Sequence, residues 1–534
     1  MNRLPKSFWY VLVLLGLFFD VLFWRQLPGV NFALYATLCT AGGLLLLRSM
    51  EVRPARGALW LLLPIAFFAV ITFVRIEPMT DMAARLFTLG AMALLALTYA
   101  GGRWACYGLP DFLGKGLSLA GSMLGWPIIF PGVLQPGESD RARAGARTGL
   151  WPVLRGIAIA LPILALLAAL LSSADLVFAS RLKVVLSWLN LERLPEYIFR
   201  GALIGAAAYA LAGVILHAAA RSRDEQLLAD GKPALKPFLG SLEAIIVLGS
   251  VVLLFGAFVL IQFRYFFGGQ ANIHVEGFTY AEYARRGFGE LVAVACISLA
   301  LLLALSVVTR RERPHERRAF SWLGVSLVAL VLVMLISAYR RLVLYEAAYG
   351  FSRLRTYTHV FLIWVGLLLI AVIVLELMRK ERAFALASLL AGAGFAASLA
   401  LLNVDAFVAR QNIRREIQRP QSDNSIELDA GYLLTLSDDA LPALAEAFAS
   451  PDTPPDVQAT LGAVLVCRAH NRPVDADRAS AGWPSFHVAI FRADAVLEQL
   501  DERLQGYEYD SNDGLGLVRS PSGAQLDCMP VFGD

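Results

Sequence analysis

Two polar segments of this chain are rich in arginine, tyrosine and glutamate, and each lies between long apolar blocks. The first runs from 263 to 290 and the second from 339 to 359. In helical form, the first places Glu282, Arg286 and Glu290 four residues apart on one face. A guanidinium fork matches a phosphate or carboxylate, and a tyrosine adds a hydroxyl on an amphipathic ring. These residue types at this spacing suit the recognition of an anionic group.

The second segment has the pattern of a helical hairpin. Gly350 is placed as a helix C-cap, and Ser352 is placed as the N-cap of the next helix. The tip of the hairpin would then be lined by arginine and tyrosine. The candidate ligand-binding residues of the two segments are Tyr280, Glu282, Tyr283, Arg286, Glu290, Arg341, Tyr345, Tyr349, Arg353 and Arg355.

Long apolar blocks make up most of the chain. Of its 534 residues, 57% are hydrophobic and 17% charged, whereas an ordinary globular protein has about half and about a quarter. Blocks long enough to cross a bilayer fall at roughly 8–24, 29–47, 57–74, 83–101, 152–172, 197–220, 238–262, 288–308, 319–339, 357–378 and 383–402. They predict an all-α polytopic membrane protein with about eleven transmembrane helices. The first block has no small-residue cleavage site after it, so we expect an uncleaved helix.

Lysine and arginine are concentrated in alternate connections between the blocks. The positive-inside rule makes these connections cytoplasmic. The N-terminus is then cytoplasmic, whereas both polar segments and the C-terminal tail are extracytoplasmic. Two further connections, 109–134 and 174–194, are expected to lie at the membrane surface, although the first could instead dip in as a re-entrant piece.

The composition becomes polar after the last apolar block. We expect a transmembrane helical domain at 1–403 and a small, mainly helical, soluble domain at 404–534. Cys467 and Cys528 are the two cysteines of this tail. An oxidising compartment would permit a bridge between them, and the alternative is that Cys467 is merely a buried thiol.

Several kinds of chemistry have no support in the sequence. There is no P-loop, HExxH, GxSxG elbow or zinc-ligand spacing, so no metal or cofactor is expected. The net charge of +4 gives no reason to expect a nucleic-acid partner. Gly392 and Gly394 match part of a dinucleotide fingerprint, but in an apolar block small residues serve helix packing. Asp20 and Glu376 are isolated membrane acids, expected to be paired or at the interface.

Several short stretches resemble a large bacterial family of uncharacterised multi-pass membrane proteins, known only as a domain of unknown function. In the two polar segments, the matching residues are Phe266 to Gly268, Thr279 to Arg285, Arg341, Tyr345, Tyr349, Gly350, Leu354 and Arg355. Beyond the last apolar block they are Asn403, Asp405, Asn412, Ile413, Tyr432, Leu433, Leu436, Ser437, Asp439 and Ala440. The resemblance covers roughly the last two-thirds of the chain. It implies a bacterial inner-membrane protein and no particular reaction.

The leading functional hypothesis is recognition of an anionic lipid or cell-envelope component by the arginines of the polar segments. The positive-inside rule makes arginine unfavourable at extracytoplasmic helix ends, so its concentration there needs a reason. One alternative is a clamp of Arg, Glu and Tyr between helices, with no ligand. Others are a transporter of a small solute, a transferase acting on a lipid-linked substrate with Glu282 or Glu290 as base, and a scaffold or signalling bundle.

Overall fold

The computed structural model describes residues 4–133, 194–223, 238–266, 288–310, 313–418, 428–471, 482–510 and 516–528. Within these ranges, nine helices are long and apolar enough to cross a membrane, and a further apolar helix, Phe8–Phe23, is shorter. Every predicted block except 152–172 corresponds to one of these helices, and 152–172 lies outside the described residues. The predicted all-α membrane fold is therefore confirmed.

The N-terminal helices form one bundle. Its members are α1 Phe8–Phe23, α2 Val30–Ser49, α3 Arg56–Leu59, α4 Leu62–Val74, α5 Pro78–Thr98, α6 Leu109–Val133 and α7 Leu194–Arg221. Helix α7 packs against both α1 and α6, and α4 packs against α5. Between α1 and α7, Asp20 pairs with Arg200, whose single Nε–H is shared between the two carboxylate oxygens at 3.0 and 3.1 Å and whose Nη also donates. The expectation that this membrane acid is paired is confirmed.

Helix α6 enters the bundle instead of lying flat on a surface. Ser122 lies 2.7 Å from Nδ1 of His217, and the hydroxyl of Tyr209 donates to the carbonyl of Leu124. A Cβ atom on Gly213 would overlap the backbone of Met123, so glycine permits the close approach of α6 and α7. Of the two expectations for 109–134, the structure favours the one in which the segment dips in. The second surface segment, 174–194, lies almost entirely outside the described residues.

A second bundle contains α8 Ser241–Phe266, α9 Phe288–Val308, α10 Pro314–Tyr349, α11 Arg353–Leu377 and α12 Phe384–Leu402. Helix α10 packs against α8, α9 and α11, and α12 packs against both α11 and α5, which joins the two bundles. A Cβ atom on Gly394 would overlap the indole of Trp364, whose Nε1 donates to Ser398 at 3.0 Å. Gly394 thus serves helix packing, as expected from its place in an apolar block.

The C-terminal domain is mainly helical and ends in a small sheet. Its helices are α13 Val404–Ile417, α14 Ala430–Thr435, α15 Leu441–Ala449, α16 Pro455–His470 and α17 Val488–Leu504. Strands β1 Glu508–Asp510, β2 Leu517–Arg519 and β3 Gln525–Asp527 form an antiparallel sheet in the order β1-β2-β3. A disulfide joins Cys467 at the end of α16 to Cys528 after β3. Of the two possibilities for these cysteines, the bridge is confirmed.

The loops of the bundle separate into two groups. At one end, the loops near 24–30, 75–77 and 350–353 contact the C-terminal domain. At the other end, the connections near 55, 100–106, 222, 239, 310 and 381–383 contact one another. We call these the domain end and the far end. Among the described residues, the loops predicted to be extracytoplasmic lie at the domain end, and those predicted to be cytoplasmic lie at the far end.

Candidate functional site at the junction with the C-terminal domain

The tip of the α10–α11 hairpin has the caps predicted from its sequence. Gly350 has a φ of +78°, and the hydroxyl of Ser352 accepts from the backbone N–H of Arg355. The guanidinium of Arg355 lies 4.4 Å from the centre of the Tyr345 ring and donates to the carbonyls of Tyr349 and Gly350. Three candidate residues of the second polar segment, Tyr345, Tyr349 and Arg355, are thereby brought together with the two caps at one turn.

Arg353, at the start of α11, is joined to α13 by a buried ion pair. Its Nε and one Nη each donate to the carboxylate of Asp405 at 2.7 Å. Asp405 is fully buried, and it also accepts from the backbone N–H of Ser437 at 2.6 Å. The hydroxyl of Tyr432 accepts from the backbone N–H of Arg353 at 2.8 Å. The ion pair thus connects the membrane hairpin to two segments of the C-terminal domain.

A second buried carboxylate, Glu77, lies at the start of α5 on the same end. It caps the helix by accepting from the backbone N–H groups of Met79 and Thr80, both at 2.9 Å. The hydroxyl of Tyr357, one turn beyond Arg353 on α11, also donates to Glu77. Glu77 therefore links the N-terminal bundle to the hairpin.

The third buried carboxylate, Asp439, belongs to the C-terminal domain and binds the α4–α5 loop. It accepts from the backbone N–H groups of Ile76 and Glu77, at 2.8 and 3.2 Å, and pairs with Arg75 at 3.4 Å. Burial raises the pKa of Asp439, while these donors act in the opposite direction. Within the described residues, the carboxylates do not gather into a metal-binding group. Their geometry is that of a docking network between the domain and the bundle.

The segment before α17 completes the contact between domain and bundle. The carbonyl of Phe486 accepts from Val30 at 2.9 Å, and the hydroxyl of Ser485 accepts from the N–H of Leu27 at 2.9 Å. His487 is buried, and its Nδ1 accepts from Ala489 at 3.2 Å. The domain consequently covers the α1–α2 loop as well as the α4–α5 loop and the hairpin.

Acidification should weaken this contact through His487. Burial lowers its pKa from 6.5 to about 4 in the folded protein. The unfolded chain therefore takes up the proton first, and stability falls as the pH is lowered from 6.5 towards 4, by up to about 3 kcal/mol. Chemical denaturation in mild detergent across this range measures the effect. H487Q should make the stability nearly independent of pH across this range. H470Q changes an exposed histidine of the same domain and should leave the pH dependence of stability as steep as in the parent. Equal slopes in the two variants would show that His487 is not the group responsible.

An open pocket lies beside the hairpin tip, between α13 and α14. We call it the junction pocket; its volume is about 170 Å³. Its charged lining consists of Arg355, Arg415, Glu416 and Asp429, and Tyr349 and Tyr432 also line it. Asp429 caps α14 by accepting from the N–H of Tyr432 at 2.8 Å. The pocket thus contains two of the predicted site residues, Tyr349 and Arg355, together with a second arginine from α13.

The other predicted site residues are placed as follows. Tyr280, Glu282, Tyr283 and Arg286 lie outside the described residues. Glu290 is exposed at the start of α9, and its neighbour Leu291 packs in one cluster with Met334 and Ala338 of α10. Arg341 lies on α10, one helical turn before Tyr345. The structure therefore brings Tyr345, Tyr349, Arg353 and Arg355 together around one turn, and only Tyr349 and Arg355 of these line the pocket.

One family profile, described as a domain of unknown function (DUF4153), matches residues 62–447, more than two-thirds of the 534-residue chain. The chain belongs to the DUF4153 family. The match begins closer to the N-terminus than the resemblance noted above, and it ends within α15. It therefore includes the three buried carboxylates and the hairpin tip, but not α16, α17 or the sheet. No curated protein and no solved structure matches the chain.

Sequence reasoning missed part of this junction, both inside the DUF4153 region and beyond its end at residue 447. Glu77 was not among the candidates, although a polar residue directly before Pro78 is a helix N-cap signal that could have identified it. Arg75 and His487 carried no comparable signal. Asp405, Tyr432 and Asp439 had been noted as matching residues, and the structure gives them their partners.

Proposed function

We propose that this multi-pass membrane protein recognises an anionic lipid or cell-envelope component in the junction pocket. The observation that carries the proposal is the position of Arg355 and Arg415 on the wall of an open pocket, beside the hydroxyl-bearing side chains of Tyr349 and Tyr432. Guanidinium groups with neighbouring hydroxyls are suited to phosphate or carboxylate. The pocket lies where the apolar helices α10 and α11 meet the polar domain, so a group at the membrane surface can reach it.

The size of the pocket limits the bound group. A volume of about 170 Å³ corresponds to roughly six water molecules, which is room for one phosphate or carboxylate and a short attachment. Acyl chains or a longer polymer would have to remain outside. Two carboxylates on the lining, Glu416 and Asp429, favour a group that also carries a hydroxyl or amine donor.

The proposed location is the inner membrane of a bacterium, with the N-terminus in the cytoplasm and the C-terminal domain outside it. Two features support this orientation. The far end carries the arginine-rich connections, which the positive-inside rule assigns to the cytoplasm. The C-terminal domain has a disulfide between Cys467 and Cys528, which is typical of an oxidising compartment.

Cysteine labelling should report this orientation directly. In a background where the free cysteines Cys39, Cys106 and Cys296 are replaced by serine, H315C and D452C each introduce one free thiol. An impermeant maleimide added to intact spheroplasts should label D452C and not H315C, because only the former faces the outside. Permeabilised cells, in which both should react, provide the control. Labelling of H315C alone in intact spheroplasts would show that the orientation is reversed.

Lipid retention tests the proposed ligand. The purified full chain is analysed by native mass spectrometry after reconstitution with phosphatidylglycerol or with phosphatidylcholine alone. R355Q/R415Q should weaken the binding of anionic lipid about a hundredfold or more, since it removes two charge-assisted contacts of about 1.5–3 kcal/mol each. The matched control is R410Q/R414Q, which removes the same charge from exposed positions on α13 outside the pocket.

The outcomes separate the candidate functions. If both double variants fold and retain lipid like the parent, the lipid form of the proposal is wrong. Envelope fragments bearing phosphate or carboxylate are then tested in the same way. If these also bind both variants equally, the junction pocket is not the site. The transporter and the transferase acting on a lipid-linked substrate are then the functions to be assayed.

A further inference from the structure

We propose a second anion site at the far end of the hairpin, which binds the phosphate headgroup of an anionic phospholipid in the adjacent leaflet. The site is an open pocket of about 550 Å³ between the start of α10 and the end of α11. We call it the far-end pocket. The far-end pocket is formed by the membrane-spanning helices alone, so this proposal can be tested independently of the junction pocket.

Four arginines line the far-end pocket. Arg313, Arg317 and Arg318 come from the start of α10, and Arg379 follows α11. All four side chains are exposed, and within the described residues none of them forms an ion pair. Among the described residues, Glu376 is the one carboxylate on the lining, so there four cations face one anion. This imbalance favours an anionic ligand.

The single carboxylate already has a partner. Oε1 of Glu376 accepts from the hydroxyl of Ser321 at 2.6 Å, which links α11 to α10 across the pocket. The expectation that Glu376 is paired is thereby confirmed. The nearby Glu316 is directed to the backbone, since its Oε2 accepts from the N–H of Arg313 at 3.3 Å. The described part of the chain therefore neutralises the positive charge of the pocket only in part.

Arg379 follows the end of α11 in a left-handed backbone conformation. Arg379 has a φ of +57°, and Lys380 N–H donates to Leu375 O at 2.9 Å, as in a helix end that normally uses glycine. A residue with a side chain is strained in this conformation, because its Cβ comes close to a backbone carbonyl oxygen. A cation at a helix C-terminus offsets part of that cost through the helix dipole, whereas the same dipole disfavours an anion, so a bound phosphate would be held by the arginines and not by the helix end.

The apolar part of the lining identifies the source of the phosphate. Trp322, Val325 and Leu377 belong to the same pocket, and Trp322 is 67% and Leu377 60% exposed. Both lie on helices apolar enough to span a membrane, within a few residues of the arginines. Tryptophan at this depth is typical of the membrane interface. A phospholipid can place its phosphate among the arginines and its first acyl carbons against these apolar side chains. Free phosphate would contact only the arginine-lined part of the pocket.

The positive-inside rule alone would also place arginines at this end. A matched control distinguishes a specific lipid site from arginines that only orient the protein in the membrane. R317Q/R318Q removes two charges from the pocket. R53Q/R223Q removes two exposed charges from the same end, outside the pocket. The full-length protein is delipidated in detergent and titrated with short-chain phosphatidylglycerol by native mass spectrometry, and with phosphatidylcholine and inorganic phosphate in parallel.

We expect R317Q/R318Q to weaken phosphatidylglycerol binding about 30-fold, because each arginine near a charged headgroup contributes about 1 kcal/mol. R53Q/R223Q should bind like the parent, and phosphatidylcholine should bind weakly to all three proteins. Millimolar inorganic phosphate should not displace the lipid. Equal weakening in the two double variants would overturn the proposal, since general surface charge would then explain binding. Binding of inorganic phosphate without lipid selectivity would also overturn it.

Discussion

R353Q should be the most destabilising single substitution at the junction. It leaves the carboxylate of Asp405, which is fully buried, without its guanidinium partner. Removing one partner of a buried pair costs about 3–5 kcal/mol, because the remaining charge has lost both water and its counterion. Chemical denaturation in mild detergent should show this loss of stability. Proteolysis should show early release of the C-terminal domain, because the same carboxylate binds Ser437.

Two further variants distinguish the effect of breaking the buried ion pair from the effect of losing a positive charge in general. R410Q changes an exposed arginine on α13 and should alter stability by less than about 1 kcal/mol. R353M/D405L removes both charges and should be more stable than R353Q, since no charge is then left buried without a partner. If the double variant is as unstable as R353Q, the loss of stability comes mainly from altered packing and not from the buried carboxylate without a partner.

Removal of the disulfide should have the next largest effect. The bridge between Cys467 and Cys528 spans 61 positions, and in the chain-entropy description closing such a loop stabilises the folded state by about 4 kcal/mol. C467A/C528A should therefore lower the denaturation midpoint of the C-terminal domain. The change should also loosen the sheet, because Cys528 N–H donates to Gly516 and Asn471 donates to Cys528 O at 2.7 Å.

The parent protein and a free-cysteine variant provide the comparison. Reductant should shift the parent to the midpoint of C467A/C528A and should leave that variant unchanged. C296S, at an exposed free cysteine, should behave like the parent with and without reductant. A non-reduced peptide map that finds both tail cysteines alkylated would contradict the bridge itself.

The parts of the fold that depend on local sequence were predictable. Apolar blocks of spanning length identified the described transmembrane helices, because a bilayer requires every backbone group to be satisfied within a helix. The caps at Gly350 and Ser352 followed from residue type and position alone. The two tail cysteines could be named as a pair, although the sequence left open whether they were joined.

The contacts at the junction were not predictable from one sequence, because they join distant segments. Tyr357 and Glu77 are separated by 280 positions, and Ile76 and Asp439 by 363. Spacing on one helix showed that Arg353 and Tyr357 share a face, but not which residues face them. The sequence interpretation therefore treated Arg353 as a ligand-binding residue, and the structure pairs it with Asp405. The arginines of the far-end pocket were explained only as orientation signals.

The covering of the α1–α2 loop by the C-terminal domain has a consequence for biogenesis. Leu27 reaches its hydrogen-bond partner Ser485 across 458 positions. At about 5–20 residues per second, the ribosome needs roughly 20–90 s to synthesise that interval. The first two helices are therefore inserted long before the segment that caps their loop exists. During this time the polar groups of the loop must be satisfied by water, lipid headgroups or an insertion factor, so the α1–α2 loop stays accessible to quality-control proteases until Ser485 has been synthesised.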